Sequence, residues 1–216
     1  MKNLKAILFD FDGTLVDSEK FHFDCWNEVL VEFNVQLEYE YYLDHFAGIP
    51  TTQNAIHLTK AYDLNTSPDE LVKMREDFAL IKLDELEVEL MPYVEEILNI
   101  TEAKYRMGIV TGSPRHDVDK TLGKLGWENR FECIITRDDV SNSKPNPESY
   151  LKALVQMNLS SDECIVFEDT ENGVKSAKAA GLRCCAVQSR LNYQPRLQQA
   201  DMVHQNMKKA FEALEL

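Results

Sequence analysis

Apolar and polar positions in this chain follow two rhythms, and the change between them divides the sequence. It opens with Lys5-Ala6-Ile7-Leu8-Phe9, a short apolar run without Pro or Gly. That is the pattern of a buried parallel strand, and it is too short for a helix. Helical spacing then takes over. Asp17 or Ser18 can cap a helix over about 19–33, with Phe23, Trp26, Val29, Leu30 and Phe33 on one face and Asn34 as its stop. Further helices are expected at about 39–46, 52–62 and 68–90. Gly48-Ile49-Pro50 separates the first two, and Ser67-Pro68 opens the last. No strand signal interrupts 17–90, which reads as an inserted helical bundle.

After Met91-Pro92 the rhythm alternates. Helices are expected at about 93–103, 115–125, 148–157, 171–180 and 206–214. Strands fall at about 106–110, 131–136, 164–167 and 184–187, with a short one near Met202-Val203. Strand followed by helix, repeated, predicts an α/β fold: a doubly wound, Rossmann-like parallel sheet with helices on both faces. The 216 residues suit one such core, formed by 1–15 and 91–216, carrying an all-α insertion over 16–90.

In open parallel sheets ligands bind beyond the carboxyl ends of the strands. Here the first strand ends in Asp10 and Asp12, the second in Thr111-Gly112-Ser113, and a later one in Glu168-Asp169; Lys144 opens the segment Ser143-Lys144-Pro145-Asn146-Pro147-Glu148. Each has a bland reading when taken alone. Asp12-Gly13 can be a turn, Thr111-Gly112-Ser113 a helix cap, Lys144 a solvated charge, and Glu168-Asp169 a complement to a helix dipole. Their joint placement at strand ends points to one crevice with four carboxylates, an ammonium and two hydroxyls. Carboxylates so close repel unless a cation lies between them, and an all-oxygen donor set suits Mg²⁺. One carboxylate can then attack phosphorus while a second protonates the leaving alkoxide; Thr111 and Lys144 stabilise the phosphoryl oxygens.

Composition narrows the partners. A net charge of −14 argues against nucleic acid and anionic membranes, which need basic patches. No apolar stretch approaches the roughly 20 residues of a membrane span, and Asp10 and Asp12 interrupt the first apolar run too early for a signal peptide. The five cysteines, Cys25, Cys133, Cys164, Cys184 and Cys185, show no paired metal-binding spacing. Buried thiols in a reducing cytoplasm are the simplest reading.

With these residues in hand, the chain resembles the haloacid dehalogenase superfamily, in its β-phosphoglucomutase-like and small-metabolite phosphatase branch. The resemblance rests on DFDGTLVDSE at 10–19, VTGS at 110–113, SKPNPE at 143–148 and FEDTENG at 167–173, in the family's order. It implies Asp10 as nucleophile and Asp12 as general acid/base, with the Asp12 backbone carbonyl on the metal. It also implies that Thr111 and Lys144 hold the phosphoryl group and that Glu168 and Asp169 complete the Mg²⁺ site. The helical stretch then corresponds to the family's mobile cap, which closes over the crevice and excludes water. Substrate contacts are implied around His22 (where mutase-like members keep a histidine that meets the acid/base residue), Gly48, Gly112 and Ser113. Arg115 is a candidate contact for a second anionic group.

The departures bear on substrate. In the mutase proper, a Lys precedes and an Arg follows the cap-loop glycine, and the Arg grips the far phosphate. Here Ala47 and Thr51 stand at those places beside Gly48, so that loop has no forked clamp. The expectation is a Mg²⁺-dependent phosphatase for a small phosphorylated metabolite such as a sugar phosphate, acting as a monomer or weak dimer. A phosphomutase using the same aspartyl phosphate is the near alternative. A dehalogenase, a phosphonatase and a receiver-like phospho-switch are further ones, and Asp12 argues against the switch.

Overall fold

Strand β1 (Ala6–Phe9) lies at the centre of a six-stranded sheet with the order β3-β2-β1-β4-β5-β6, every neighbouring pair parallel. Its partners are β2 (Arg106–Val110), β3 (Cys133–Ile135), β4 (Cys164–Glu168), β5 (Arg183–Val187) and β6 (Met202–His204). The computed structural model describes residues 3–85 and 87–216. Met1, Lys2 and Leu86 lie outside them, Leu86 falling within the helix expected over 68–90.

The chain divides into two compact units, 1–17 with 88–216 and 18–87. The sequence placed the boundaries at 15/16 and 90/91. The difference comes from a short clip: Val16 bridges Leu90, Asp17 N–H donates to Glu89 O, and Met91 N–H donates to Leu15 O. Among the described residues the fourth helix of the insertion spans Pro68–Glu85, and 87–90 are not helical, Leu90 pairing with Val16 instead.

In the sheet unit, the strands' two-residue period sorts the core into two layers. Ile7, Phe9, Ile109, Ile165 and Phe167 face one way, beneath α5 (Val94–Glu102), α6 (Arg115–Leu125) and α9 (Met207–Leu214). Ala6, Leu8, Val110, Cys164 and Val166 face the other, beneath α7 (Glu148–Met157) and α8 (Glu171–Ala179). β1 is buried on both faces, which explains its unbroken apolar run. The chain reverses direction across the sheet between β1 and β4, and ligands gather at such a switch point.

The helical unit holds α1 (Glu19–Val31), α2 (Tyr39–His45), α3 (Thr51–Ala61) and α4 (Pro68–Glu85) around Trp26, Leu30, Tyr42, Phe46, Leu58 and Leu71. Neither expected cap of α1 operates: Ser18 occupies the N-cap position without a side-chain capping bond, and Asp17 is exposed.

Candidate active site

Three strand ends meet at the switch point. Asp10 follows β1 directly, with its N–H on Phe167 O of β4, and its carboxylate is buried. Lys144 reaches it from the loop before α7: Nζ donates to Asp10 Oδ1 at 2.5 Å, to Val110 O at 2.8 Å and to Glu168 Oε1 at 2.5 Å. All three ammonium hydrogens are thereby used. Burial, then the Glu168 charge, hold the Asp10 carboxyl well above the usual carboxylate range, with Lys144 pulling the other way. Lys144 itself is pushed up by the charges of Asp10 and Glu168 against the effect of burial.

Asp169 stands beside this group. Thr14 Oγ1 donates to its Oδ1 at 3.3 Å, and Gln188 Nε2 donates to its backbone carbonyl at 3.3 Å. The approach of Gly13 to Asp169 leaves no room for a side chain: an added Cβ would sit 2.4 Å from Asp169 Oδ2, and the φ of +77° at Gly13 independently favours glycine.

Asp12, two residues on, turns elsewhere. Its Oδ2 accepts from Ser113 Oγ and lies 3.5 Å from Thr111 Oγ1, which in turn accepts from Ser113 N–H at 3.0 Å. The two aspartates of the first motif therefore occupy distinct settings: Asp10 among carboxylates and Lys144, Asp12 among hydroxyls. An added Cβ on Gly112 would meet nothing within 4 Å, so that glycine is not required by packing.

Asp10, Glu168 and Asp169 each offer a carboxylate oxygen, and these oxygens lie within 4.8 Å of one another. Three carboxylates against one ammonium leave an excess of negative charge in a buried place, which a hard divalent cation would neutralise. The donor set therefore fits Mg²⁺. The Asp12 side chain is outside this trio.

Other expected contacts fall elsewhere. The Arg115 guanidinium is tied to Ile134 O at 2.8 Å and Asp139 Oδ2 at 2.6 Å, so it braces the β3 end instead of standing ready for an anion. In the helical unit, Gly48 takes a left-handed turn, φ +70°, after α2. His22 Nδ1 lies 2.6 Å from Arg75 Nη2, and since an arginine only donates, that nitrogen carries the lone pair.

Sequence reasoning passed over Tyr150. It is fully buried and its hydroxyl donates to Glu168 Oε1 at 2.8 Å. Tyr150, Ala153, Leu154 and Met157 share helical spacing on the buried side of α7, and such a stripe reads as core. Thr14, Gln188 and Gly173 were also missed. Thr14 and Gly173 carried a local signal, their places inside the first and last motifs, and Gln188 carried none.

The family model described as haloacid dehalogenase-like hydrolase matches residues 7–187. A phosphorylated carbohydrates phosphatase of Thermotoga maritima is 29% identical, the match spanning 83% of this chain and 82% of that protein. The fructose-1-phosphate phosphatase YqaB of Escherichia coli is also 29% identical, over 82% of this chain and 93% of its own. Among solved structures, CbbY from Rhodobacter sphaeroides in complex with phosphate superposes with a TM-score of 0.80 at 22% identity, covering 93% of both chains; at that identity the likeness speaks for the fold.

Proposed function

Because the chain belongs to the haloacid dehalogenase-like hydrolases, we propose that it is a Mg²⁺-dependent phosphatase that hydrolyses a small phosphorylated metabolite through a phospho-aspartate on Asp10. The observation that carries this reading is the convergence of Asp10, Lys144 and Asp169 at the switch point of the sheet, with Asp12 held apart by hydroxyls. A sugar phosphate is the substrate class favoured by the names of the two relatives.

In the first half-reaction a carboxylate oxygen of Asp10 attacks phosphorus while the bond from phosphorus to the ester oxygen breaks. The departing alkoxide takes a proton from Asp12. In the second, Asp12 removes a proton from water, and the resulting hydroxide attacks the aspartyl phosphate, releasing orthophosphate and restoring Asp10 as the carboxylate and Asp12 as the acid. Thr111 Oγ1 supplies a hydrogen bond to a phosphoryl oxygen, where charge gathers in such transfers, and the Lys144 ammonium supplies another by turning the hydrogen it gives Asp10 Oδ1 towards the phosphoryl group. Asp10 and Asp169, with Glu168 beside them, would hold Mg²⁺, which supplies charge neutralisation and polarises a phosphoryl oxygen. The helical unit is assigned to substrate selection, and the missing clamp at Ala47 and Thr51 favours hydrolysis over a mutase. Five buried cysteines without a disulfide among the described residues accord with a reducing cytoplasm.

The test is a screen of phosphorylated metabolites for Mg²⁺-dependent orthophosphate release. Free phosphate from a hexose 1-phosphate supports the phosphatase. Conversion to the isomeric phosphate when a trace of bisphosphate is added would assign the mutase, and release that survives Asp10→Asn would overturn the mechanism.

A further inference from the structure

Tyr150 takes no part in the reaction as written, yet it touches the group that holds Lys144. Its hydroxyl and the Lys144 ammonium share one oxygen, Glu168 Oε1, at 2.8 and 2.5 Å. The second oxygen, Oε2, faces Asp169 N–H at 3.2 Å, Thr170 Oγ1 at 3.3 Å and Thr170 N–H at 3.5 Å. A carboxylate has about four lone-pair positions in all, so protein donors account for the hydrogen-bonding capacity of Glu168. Its freedom to turn is also small. The carboxyl group lies flat against the first turn of α8, where a Cβ added to Gly173 would stand 1.9 Å from the Glu168 carboxyl carbon. For Glu168 to bring an oxygen to a cation held by Asp10 and Asp169, it must give up Lys144 or Tyr150.

We propose that Tyr150 is a positioning residue: by occupying the second lone pair of Glu168 Oε1, its hydroxyl keeps this carboxylate as the counter-ion of Lys144 and outside the inner coordination sphere of the bound metal. The proposal rests on the reading above that the acidic trio takes a divalent cation. It refines that reading, because proximity alone admits all three carboxylates as ligands, whereas the hydrogen bonds leave two, Asp10 and Asp169. A site with few protein oxygens suits Mg²⁺, which keeps several of its waters. Ca²⁺, which gathers six to eight oxygen ligands, gains from every further carboxylate. Tyr150 therefore acts on metal choice through Glu168.

The experiment is calorimetric titration of the purified full chain with MgCl₂ and with CaCl₂, for the wild type, Tyr150→Phe and Asp169→Asn. Tyr150→Phe keeps the ring whose centroid lies 5.1 Å from Lys144 Nζ and removes only the hydroxyl. The expected result is that Tyr150→Phe raises the ratio of Ca²⁺ to Mg²⁺ affinity by about tenfold, the scale of one hydrogen bond to a charged group, while Asp169→Asn abolishes binding of both ions. A ratio unchanged within about twofold, with Mg²⁺ still bound, overturns the role of Tyr150 and leaves the metal reading standing. Failure of the wild type to bind either ion overturns both. Should thermal melting show Tyr150→Phe to be unfolded, Glu168→Gln decides. Mg²⁺ affinity within about tenfold of wild type supports an outer role for Glu168, and a loss equal to that of Asp169→Asn refutes it.

Discussion

Asp10 and Asp12 are two residues apart and chemically unlike, and variants at each should behave differently. Asp10→Asn removes the nucleophile and should abolish phosphate release. It should also make the metal-free protein melt at a higher temperature, because burial and Glu168 disfavour the charged carboxyl there. The sign follows from the raised value. The cost of ionising Asp10 is absent below the ordinary carboxylate range near pH 4 and builds as pH rises through the folded-state value. Melting curves without metal should therefore show the gap between variant and wild type widening as pH rises above about 4, and Mg²⁺ should close it. Equal melting temperatures throughout would contradict the electrostatic account. Asp12→Ala should lower turnover about 10²- to 10⁴-fold, the usual worth of a general acid/base, measured as phosphate release beside Mg²⁺ affinity that changes little. The gathering of Asp10, Lys144, Glu168 and Asp169, with Asp12 and Thr111 in contact beside it, was legible in the sequence because polar residues at strand ends are concentrated in a few short motifs. Tyr150 and Arg75 were not, for one reason: each occupies an apolar stripe, Arg75 between Leu71 and Ala79 on α4. A polar residue on such a stripe declares its partner only in three dimensions.

Helix starts do much of the positioning in the sheet unit. Thr170 caps α8, its Oγ1 accepting from Gly173 N–H at 3.1 Å while donating to Glu168. Gly173→Ala should destabilise the protein by about 1–3 kcal/mol, the range for forcing volume into a packed place, and should impair activity by displacing Glu168; chemical denaturation with a parallel phosphate assay reads both. At α9, Asn206 accepts from Lys209 N–H at 3.0 Å. Asn206→Ala should cost about 1 kcal/mol and leave activity unchanged, a control for loss of stability alone. The helices α6 and α7 coincide with their sequence ranges, 115–125 and 148–157, since Pro114 and Pro147 precede them and Gly126 and Asn158 stop them in left-handed turns. The end of α4 was misjudged. Its charged, stop-free tail looked helical, whereas Leu90 pairs with Val16, a partner that no local pattern can reveal.

At the scale of the whole molecule the parallel sheet and the helical insertion were legible because their periodicities differ so plainly. Strand order was not read from the sequence, since it is fixed by pairings between distant segments. Among the described residues no helix is long and apolar enough to cross a membrane. Mg²⁺ should raise the melting temperature of the wild type, by about 2.7 kcal/mol of stabilisation at a hundred times its dissociation constant, and should not do so in Asp169→Asn. All five thiols are buried, and burial pushes Cys133 and Cys164 up to about 11 and Cys185 up to about 12. A thiol reagent such as DTNB should accordingly label the native protein no faster than it unfolds. The central strand carries one more consequence. Ala6 of β1 stands opposite Arg106 on one side and Cys164 on the other, so both its neighbours are synthesised long after it. On the ribosome this most apolar strand must wait, unmatched, while the whole helical insertion emerges; the nascent chain is at its most vulnerable to aggregation then, and chaperone binding during translation should concentrate on residues 5–11.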